Sequence, residues 1–189
     1  MSFARGFKSK AETLAEELRK EAGLPNDRPA DLHRLAEVVG AEIISASSLV
    51  SEAALEQLKE IQGDAFSACT FNISGRQVIV FNPLNSDARR ASDVAHELAH
   101  VILRHDVRRL QRIGNFPFVS CDHDQEDEAQ WLAAALLLPR TLLIQCARHN
   151  MSPADIAEQF HVSERIASYR LHATGIYLQM GRERRRASV

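Results

Sequence analysis

Hydrophobic and polar residues recur along this chain with two periods, one typical of helices and one typical of strands. Apolar residues three or four apart predict helices over Lys10–Ala22, Asp31–Val39 and Ser51–Ile61. A glycine directly follows each of the first two segments, at the position where helix C-termini favour it. The segment Ala41–Ala46 predicts a short strand between the second and third helices.

The middle of the chain predicts a β-hairpin followed by two long helices. The strands are predicted over Ala65–Asn72 and Gln77–Asn82, and the four residues between them include a glycine at the turn. The helices are predicted over Asp87–Arg104 and Gln125–Leu138. The segment Asp106–Asp122 is predicted to be mostly irregular, because it contains a Gly-Asn pair and a proline.

Three short helices are predicted near the C-terminus, over 140–149, 153–160 and 163–174. The last two resemble a helix-turn-helix, with Ser163 placed to cap the second helix and His161 where the turn usually has glycine. Together the predicted elements indicate an α+β fold. It consists of a small sheet with a β-hairpin packed against these two long helices, which carry the candidate metal ligands described below, followed by a helical, helix-turn-helix-like C-terminal segment.

Length and composition fit one globular domain rather than a membrane or disulfide-rich protein. The chain has 189 residues with a formal net charge of −2, and 45% of them are hydrophobic. Its three cysteines cannot all pair, which favours reduced thiols. The longest apolar run, Trp131–Leu138, is far shorter than the roughly 20 residues of a membrane helix, and Met1–Lys10 lacks the apolar stretch of a secretory signal. We therefore expect a cytoplasmic protein that does not contact membranes.

Positive charge is concentrated near the C-terminus. Residues 140–189 contain eight arginines against four acidic residues, and four of those arginines lie in Gly181–Val189. The simpler interpretation of this stretch is a solvated basic tail, and the alternative is a contact with phosphate or an acidic protein. Arg165 and Arg170 would contact DNA if the helix-turn-helix resemblance were functional. The simpler alternative is a helical pair that packs on the core.

The helix predicted over Asp87–Arg104 carries the pattern of His96 and Glu97 followed by His100. Residues four apart lie on one helix face, so both imidazoles can bind one metal ion, and Glu97 can reach a ligand of that ion. The helix is apolar on most of its surface, where polar side chains need partners. A metal ion supplies such a partner. The pattern therefore predicts a zinc hydrolase with Glu97 as general base.

A catalytic zinc ion takes three protein ligands and one water molecule, so a third ligand is needed. The strongest candidate is Glu128, because it shares a helix face with Leu132 and can point into the core. Glu126 and Asp127 are expected to face water and to complement the N-terminus of their helix. Four other residues have suitable side chains and rank lower: Asp106, Cys121, His123 and Asp124.

These motifs resemble the ImmA/IrrE family of zinc metallopeptidases. The resemblance lies in Ala95–His100, in Glu126–Ala133 and in the Leu-Leu-Leu-Pro sequence that ends the second helix. The order and spacing of the motifs match the family over roughly residues 10–175. Leu132 and Leu138 stand where the family commonly has phenylalanine and methionine. Both changes conserve packing.

The resemblance implies that His96, His100 and Glu128 are the zinc ligands and that Glu97 is the general base. It implies Zn²⁺ as cofactor, and a His₂Glu site also accepts Mn²⁺ or Fe²⁺. The chain then divides into three segments. They are a zincin-like metallopeptidase core over 1–139, a helix-turn-helix-like helical extension packed on that core over 140–175, and a basic tail over 176–189.

The expected function is that of a zinc-dependent endopeptidase. The resemblance implies a helix-turn-helix transcriptional repressor as substrate, whose cleavage derepresses stress-response or mobile-element genes. The alternative is a non-catalytic metal-containing regulatory protein that binds a repressor or DNA. Glu97 favours the enzyme, because a purely structural zinc site has no need of a carboxylate base.

The donor that would stabilise the oxyanion stays open between His105, His123 and a backbone amide. On an ideal helix His105 lies about 140° from His100. It can therefore contribute only if the helix ends before it.

Overall fold

The computed structural model describes residues 3–61, 66–105, 109–113, 116–120 and 123–179. Gly181–Val189, the most basic part of the predicted tail, lies outside these ranges. The elements follow in this order: α1 (Phe7–Glu21), α2 (Leu32–Val38), β1 (Ala41–Ser45), a 3₁₀ turn (Ala46–Ser48), α3 (Glu52–Ile61), β2 (Ala68–Ile73), β3 (Arg76–Phe81), α4 (Asp87–Leu103), β4 (Arg109–Ile113), β5 (Phe116–Ser120), α5 (His123–Leu137), α6 (Arg140–Arg148), α7 (Pro153–Phe160) and α8 (Glu164–Ala173). This mixture of helices and short strands confirms the predicted α+β class.

The strand β3 is the centre of a three-stranded sheet. It pairs with β1 in parallel and with β2 in antiparallel orientation, so Ile43 and Thr70 both lie opposite Ile79. Ser74 and Gly75 join β2 to β3 with positive φ angles of 53° and 87°, as in the two-residue turns that match the twist of a hairpin. The predicted hairpin is therefore confirmed, with its glycine at a position that needs left-handed backbone.

A second hairpin, formed by β4 and β5, lies in the segment predicted to be irregular. Arg109 pairs with Ser120 and Ile113 pairs with Phe116 in antiparallel register. The prediction is wrong because the residues that indicate an irregular loop also occur in hairpins. A Gly-Asn pair between two strands also favours a hairpin turn, and a proline is tolerated in an edge strand.

The helix α4 packs against both the three-stranded sheet and α5. Its residues Ala95, Leu98 and Ala99 are completely buried. On α5 every residue from Trp131 to Leu137 is buried. The helix that carries the histidine pattern is thus held between a sheet and a core helix, which suits a site that needs fixed side chains.

The C-terminal helices are tied to the core by a buried arginine. Arg170 of α8 has no exposed surface, and its Nε and Nη2 atoms donate to the carbonyl oxygen of Leu138 at 3.1 and 2.9 Å. Its Nη1 lies 2.8 Å from Oε1 of Glu12 in α1. Arg170 is therefore not available for a DNA contact, whereas Arg165 on the same helix is exposed. This packing matches the simpler of the two interpretations of the helical pair.

Among the described residues, no single helix is both long enough and apolar enough to cross a membrane. Taken together, α5 and α6 reach that length and composition, but they meet at a 52° bend.

Candidate metal centre

The helix α4 presents two imidazoles side by side. His96 and His100 are one turn apart, and their Nε2 atoms lie 3.1 Å from each other. Their ring centroids are 4.7 Å apart with the planes nearly perpendicular. The prediction that both histidines share one helix face is confirmed, and their Nε2 atoms converge on one point in space.

A carboxylate from α5 completes this group. Oε2 of Glu126 lies 3.1 Å from Nε2 of His96, and Oε1 lies 3.6 Å from Nε2 of His100. One ligand atom from each of the three side chains falls within 4.8 Å of the other two. All three residues are partly buried. The described part of the chain therefore holds a His-His-Glu group that can bind a metal ion.

The spacing of these donors fits a tetrahedral ion. With metal–ligand distances of about 2.0–2.1 Å, neighbouring ligand atoms of a tetrahedral zinc site lie about 3.3 Å apart. The two Nε2 atoms lie 3.1 Å apart and Oε2 of Glu126 lies 3.1 Å from Nε2 of His96, both close to that value, whereas the 3.6 Å contact with His100 is made by the other carboxylate oxygen, Oε1. Two imidazole nitrogens and one carboxylate oxygen suit Zn²⁺, and they suit Mn²⁺ or Fe²⁺ as well. Three protein donors leave a fourth position for water or substrate.

Glu128, the ligand predicted from the sequence, lies next to His105 in the structure. Its Oε2 is 3.4 Å from Nε2 of His105, and it does not belong to the three-donor group. The expectation that Glu126 faces water is wrong, since its carboxylate contacts His96. From the sequence, Glu128 is favoured because it shares a helix face with the apolar Leu132. That shared face does not identify the ligand, because α5 is buried on every face beyond Gln130 and apolar residues therefore do not mark one inward face.

Glu97 is held by a neighbour that sequence reasoning missed. The carboxylate is buried, with only 5% of the residue exposed. The hydroxyl of Thr70 in β2 donates to its Oε2 at 2.7 Å. Thr70 lies on β2, which pairs with β3 in the sheet that packs against α4. Its place beside Glu97 therefore depends on strand pairing and on packing between segments that are distant in sequence. No local sequence signal marks it.

The chain turns sharply just after the histidine pattern. The helix α4 ends at Leu103, and Arg104 adopts a left-handed conformation with φ of 53°. The amide of His105 then donates to the carbonyl of His100 at 3.0 Å, as in a Schellman helix end. Because the helix ends before His105, this residue meets the condition that was set for a contribution to the oxyanion. Its Nδ1 lies 3.0 Å from Nδ1 of His100.

The other candidate ligands that the structure describes do not join the group. His123 and Asp124 begin α5 and are exposed. Asp106 and Cys121 lie outside the described residues. The roles of His105 and His123 towards an oxyanion stay predictions.

An acidic side chain one turn before Glu97 adds to the electrostatics of this region. Burial raises the pKa of Asp93, and the Arg89 guanidinium, whose Nε is 3.7 Å from the carboxylate, partly opposes that rise. The hydroxyl of Ser67 accepts from the same guanidinium at 3.1 Å. A charged and polar cluster therefore flanks the N-terminal side of the donor group on α4.

Comparison with known proteins places this arrangement in a family. The sequence profile of Peptidase_M78, described as the IrrE N-terminal-like domain, matches residues 39–172. That range contains both histidines, Glu97 and both candidate carboxylates of α5. No curated protein is significantly similar in sequence.

One solved structure of similar fold is a Mycobacterium tuberculosis transcriptional regulator. The two structures superpose with a TM-score of 0.54 at 17% sequence identity, over 86% of this chain and 46% of the other. This chain thus spans less than half the length of that protein, and the likeness concerns the fold alone. The family match covers well over half of the chain and agrees with the motif resemblance: the protein belongs to the Peptidase_M78 family of IrrE N-terminal-like domains.

Proposed function

We propose that this protein is a zinc-dependent endopeptidase that binds Zn²⁺ through His96, His100 and Glu126. The observation that carries the proposal is the three-donor group on α4 and α5, with the buried carboxylate of Glu97 next to one of its ligands in sequence. A structural zinc site fills its fourth position with a protein ligand and has no use for such a carboxylate. Membership of a metallopeptidase family supports the same assignment.

The chemistry assigned to Glu97 is general acid–base catalysis. A zinc ion bound to the three donors would lower the pKa of a water molecule towards about 7 and polarise the scissile carbonyl. Glu97 would accept the proton of the attacking water and later deliver it to the leaving amine nitrogen. The Thr70 hydroxyl fixes the orientation of this carboxylate through Oε2. A fixed carboxylate avoids reorganisation during the proton transfer.

We propose a helix-turn-helix repressor as the substrate. Family membership supports this choice. The alternative is a metal-containing regulator that binds such a repressor or DNA without cleavage. Burial of Arg170 removes one of the two arginines on which a DNA contact would depend.

The metal site is tested by zinc content after saturation and removal of excess metal. We expect one zinc per chain in the wild type and in Glu97→Gln. Glu126→Gln should lose most of its zinc, because it removes one of three protein ligands. If Glu126→Gln keeps its zinc while Glu128→Gln loses it, the ligand predicted from the sequence is the correct one and our assignment is overturned.

The activity is tested by incubating the zinc-loaded protein with purified helix-turn-helix repressors encoded near its gene and identifying fragments by mass spectrometry. Glu97→Gln should keep zinc and lose roughly 10²- to 10⁴-fold in cleavage rate. Undiminished cleavage by this variant would contradict the role of Glu97. Stoichiometric zinc without cleavage of any of these repressors by the wild type would favour the non-catalytic regulator.

A further inference from the structure

A chain of polar side chains leads from His100 away from the three-donor group. Its members are His100, His105 and Glu128, and the last two have no role in the function proposed above. We propose that His105 and Glu128 are positioning residues, which hold His100 in the tautomer and ring orientation that bind a metal ion through Nε2. This inference rests on the proposed metal site.

The two histidine rings meet nitrogen to nitrogen. Nδ1 of His105 lies 3.0 Å from Nδ1 of His100, and the ring centroids are 5.0 Å apart with the planes 71° apart. Only 7% of the His105 side chain is exposed. Its Nε2 is buried and makes no hydrogen bond with the described residues, and Oε2 of Glu128 lies 3.4 Å away. The carboxylate is therefore the electrostatic partner of that nitrogen.

The distances permit a single assignment of protons along this chain once Nε2 of His100 binds a metal ion. A metal-bound Nε2 carries no proton, so Nδ1 of His100 must carry it. That N–H can donate to Nδ1 of His105 only if Nδ1 of His105 is unprotonated. The proton of His105 then resides on Nε2, facing the negative charge of Glu128. Metal-binding histidines commonly donate their second ring N–H in this way, and the partner fixes the tautomer and raises ligand basicity.

The backbone after α4 makes this contact possible. A continuing helix would carry the His105 side chain about 140° away from that of His100. The left-handed conformation of Arg104 folds the chain back instead, and the His105 amide donates to the His100 carbonyl. A non-glycine residue pays about 1–2 kcal/mol for that conformation. The local structure thus accepts a strained residue at the point that brings the two rings together.

The inference also explains why Glu128 lies near the centre without joining the donor group. Glu126 and Glu128 are two residues apart on α5, so their side chains leave the helix about 200° apart. The first reaches His96 and the second reaches His105. One helix therefore supplies a candidate ligand to the centre and a candidate support to a neighbouring histidine.

The test measures metal affinity rather than activity. Affinities for Zn²⁺ come from competition with a chelating dye, and the visible spectrum of the Co²⁺-substituted protein reports the geometry of the ligands. The variants are His105→Phe, His105→Asn, Glu128→Gln and the double variant His105→Phe with Glu128→Gln. Exposed residues provide matched controls, His149→Phe and Glu56→Gln. The apo forms are compared by circular dichroism and Tm to confirm folding.

We expect His105→Phe to weaken zinc binding roughly 10- to 100-fold, the range typical for loss of such a partner, and to shift the Co²⁺ bands. His105→Asn should recover part of the affinity, because its side-chain oxygen can accept where Nδ1 of His105 does. Glu128→Gln should weaken binding in the wild-type background but add little to His105→Phe, since it acts through that residue. All variants should still reach one zinc per chain at saturation.

Three results would overturn parts of this account, and they differ from one another. Unchanged affinity and spectrum in folded His105→Phe, or in Glu128→Gln where His105→Phe does not fold, would overturn the inference while leaving the metal site intact. An equal loss from Glu128→Gln with and without His105 would show that Glu128 acts independently, as a ligand would. A wild type that binds no zinc would overturn the proposed function together with the inference.

Discussion

At the scale of single residues, the centre depends on how each polar side chain is held as much as on which side chains are present. Glu97 accepts a hydrogen bond from Thr70, and His100 contacts His105 on the side opposite its candidate metal-binding nitrogen. Both partners lie on segments outside α4. The helix supplies the chemistry, and its surroundings supply the orientation.

Replacement of Thr70 by valine should therefore slow catalysis without removing the metal. The variant keeps the branched shape in β2 and loses the hydroxyl that donates to Glu97. A hydrogen bond to a charged group contributes about 1.5–3 kcal/mol, so we expect roughly a tenfold or greater loss in cleavage rate at equal zinc content. Thr70→Ser, which retains a hydroxyl, is the control and should recover most of the rate. Equal rates for valine and threonine would show that this contact has no part in catalysis.

Arg104 offers a test of the helix end. Its φ of 53° suits glycine better than arginine, and the residue is exposed. Arg104→Gly should relieve about 1 kcal/mol of strain and raise Tm of the apoprotein by about 2–4 °C. Arg104→Ala, which keeps a Cβ atom, should not raise it. A lower Tm for the glycine variant would mean that contacts of the arginine side chain outweigh the strain.

Residues on α4 could be predicted from the sequence, whereas their partners could not. Helical spacing alone puts His96 and His100 on one face. The choice between Glu126 and Glu128 depends on how α5 is rotated against α4, and a helix buried all round gives no polar face from which to infer that rotation. Thr70 reaches Glu97 through strand pairing, which is a long-range property.

At the scale of elements, the hairpin with strong local sequence signals was predicted correctly and the hairpin with weak signals was missed. The hairpin of β2 and β3 carries apolar residues and a turn glycine, and it formed as predicted. The hairpin of β4 and β5 has strands of five residues each on either side of a Gly-Asn pair in the sequence. This pair and a proline led to the prediction of irregular structure for the segment. Short strands depend on pairing with each other, so their own sequence indicates them poorly.

The capping box of α7 makes the stability of the fold depend on pH. The Ser152 side chain accepts from the amide of Asp155, and the Asp155 carboxylate accepts from the amide and hydroxyl of Ser152. These hydrogen bonds, first that of the Ser152 hydroxyl and then that of its amide, lower the pKa of Asp155 from its ordinary value. Its charged form therefore stabilises the fold above the unfolded pKa, and that contribution is lost as pH falls through the lower folded pKa.

We expect Asp155→Asn to be less stable than the wild type at pH 7 and to approach it as pH falls through the lowered folded pKa of Asp155, below which the carboxyl is protonated in both states. The measurement is urea unfolding of both proteins at a series of pH values. Glu158→Gln, a charge-removing change at an exposed site on the same helix, is the control. A difference between Asp155→Asn and the wild type that does not shrink in acid would contradict the capping explanation.

At the scale of the whole molecule, two buried arginines join distant segments to the end of α5. Arg19 of α1 donates to the carbonyl of Leu136 at 3.0 Å, and Arg170 of α8 donates to the carbonyl of Leu138. The last carbonyls of a helix lack partners within it and carry partial negative charge, so cationic donors there are favourable. The helix that supplies Glu126 from its N-terminal turn is thus fixed at its C-terminal end by both ends of the described chain.

Removal of Arg170 tests this anchoring. Arg170→Met would leave the Glu12 carboxylate and the Leu138 carbonyl without their guanidinium partner, and breaking a buried ion pair in this way costs about 3–5 kcal/mol. Arg165→Met, on the exposed face of the same helix, should change stability by less than about 0.5 kcal/mol. Urea unfolding of the apoproteins measures both free energies of unfolding. Because the anchor lies at the far end of α5 from Glu126, we expect folded Arg170→Met still to bind one zinc per chain at saturation. Equal losses of stability in the two variants would show that the buried pair does not hold α8 to the core.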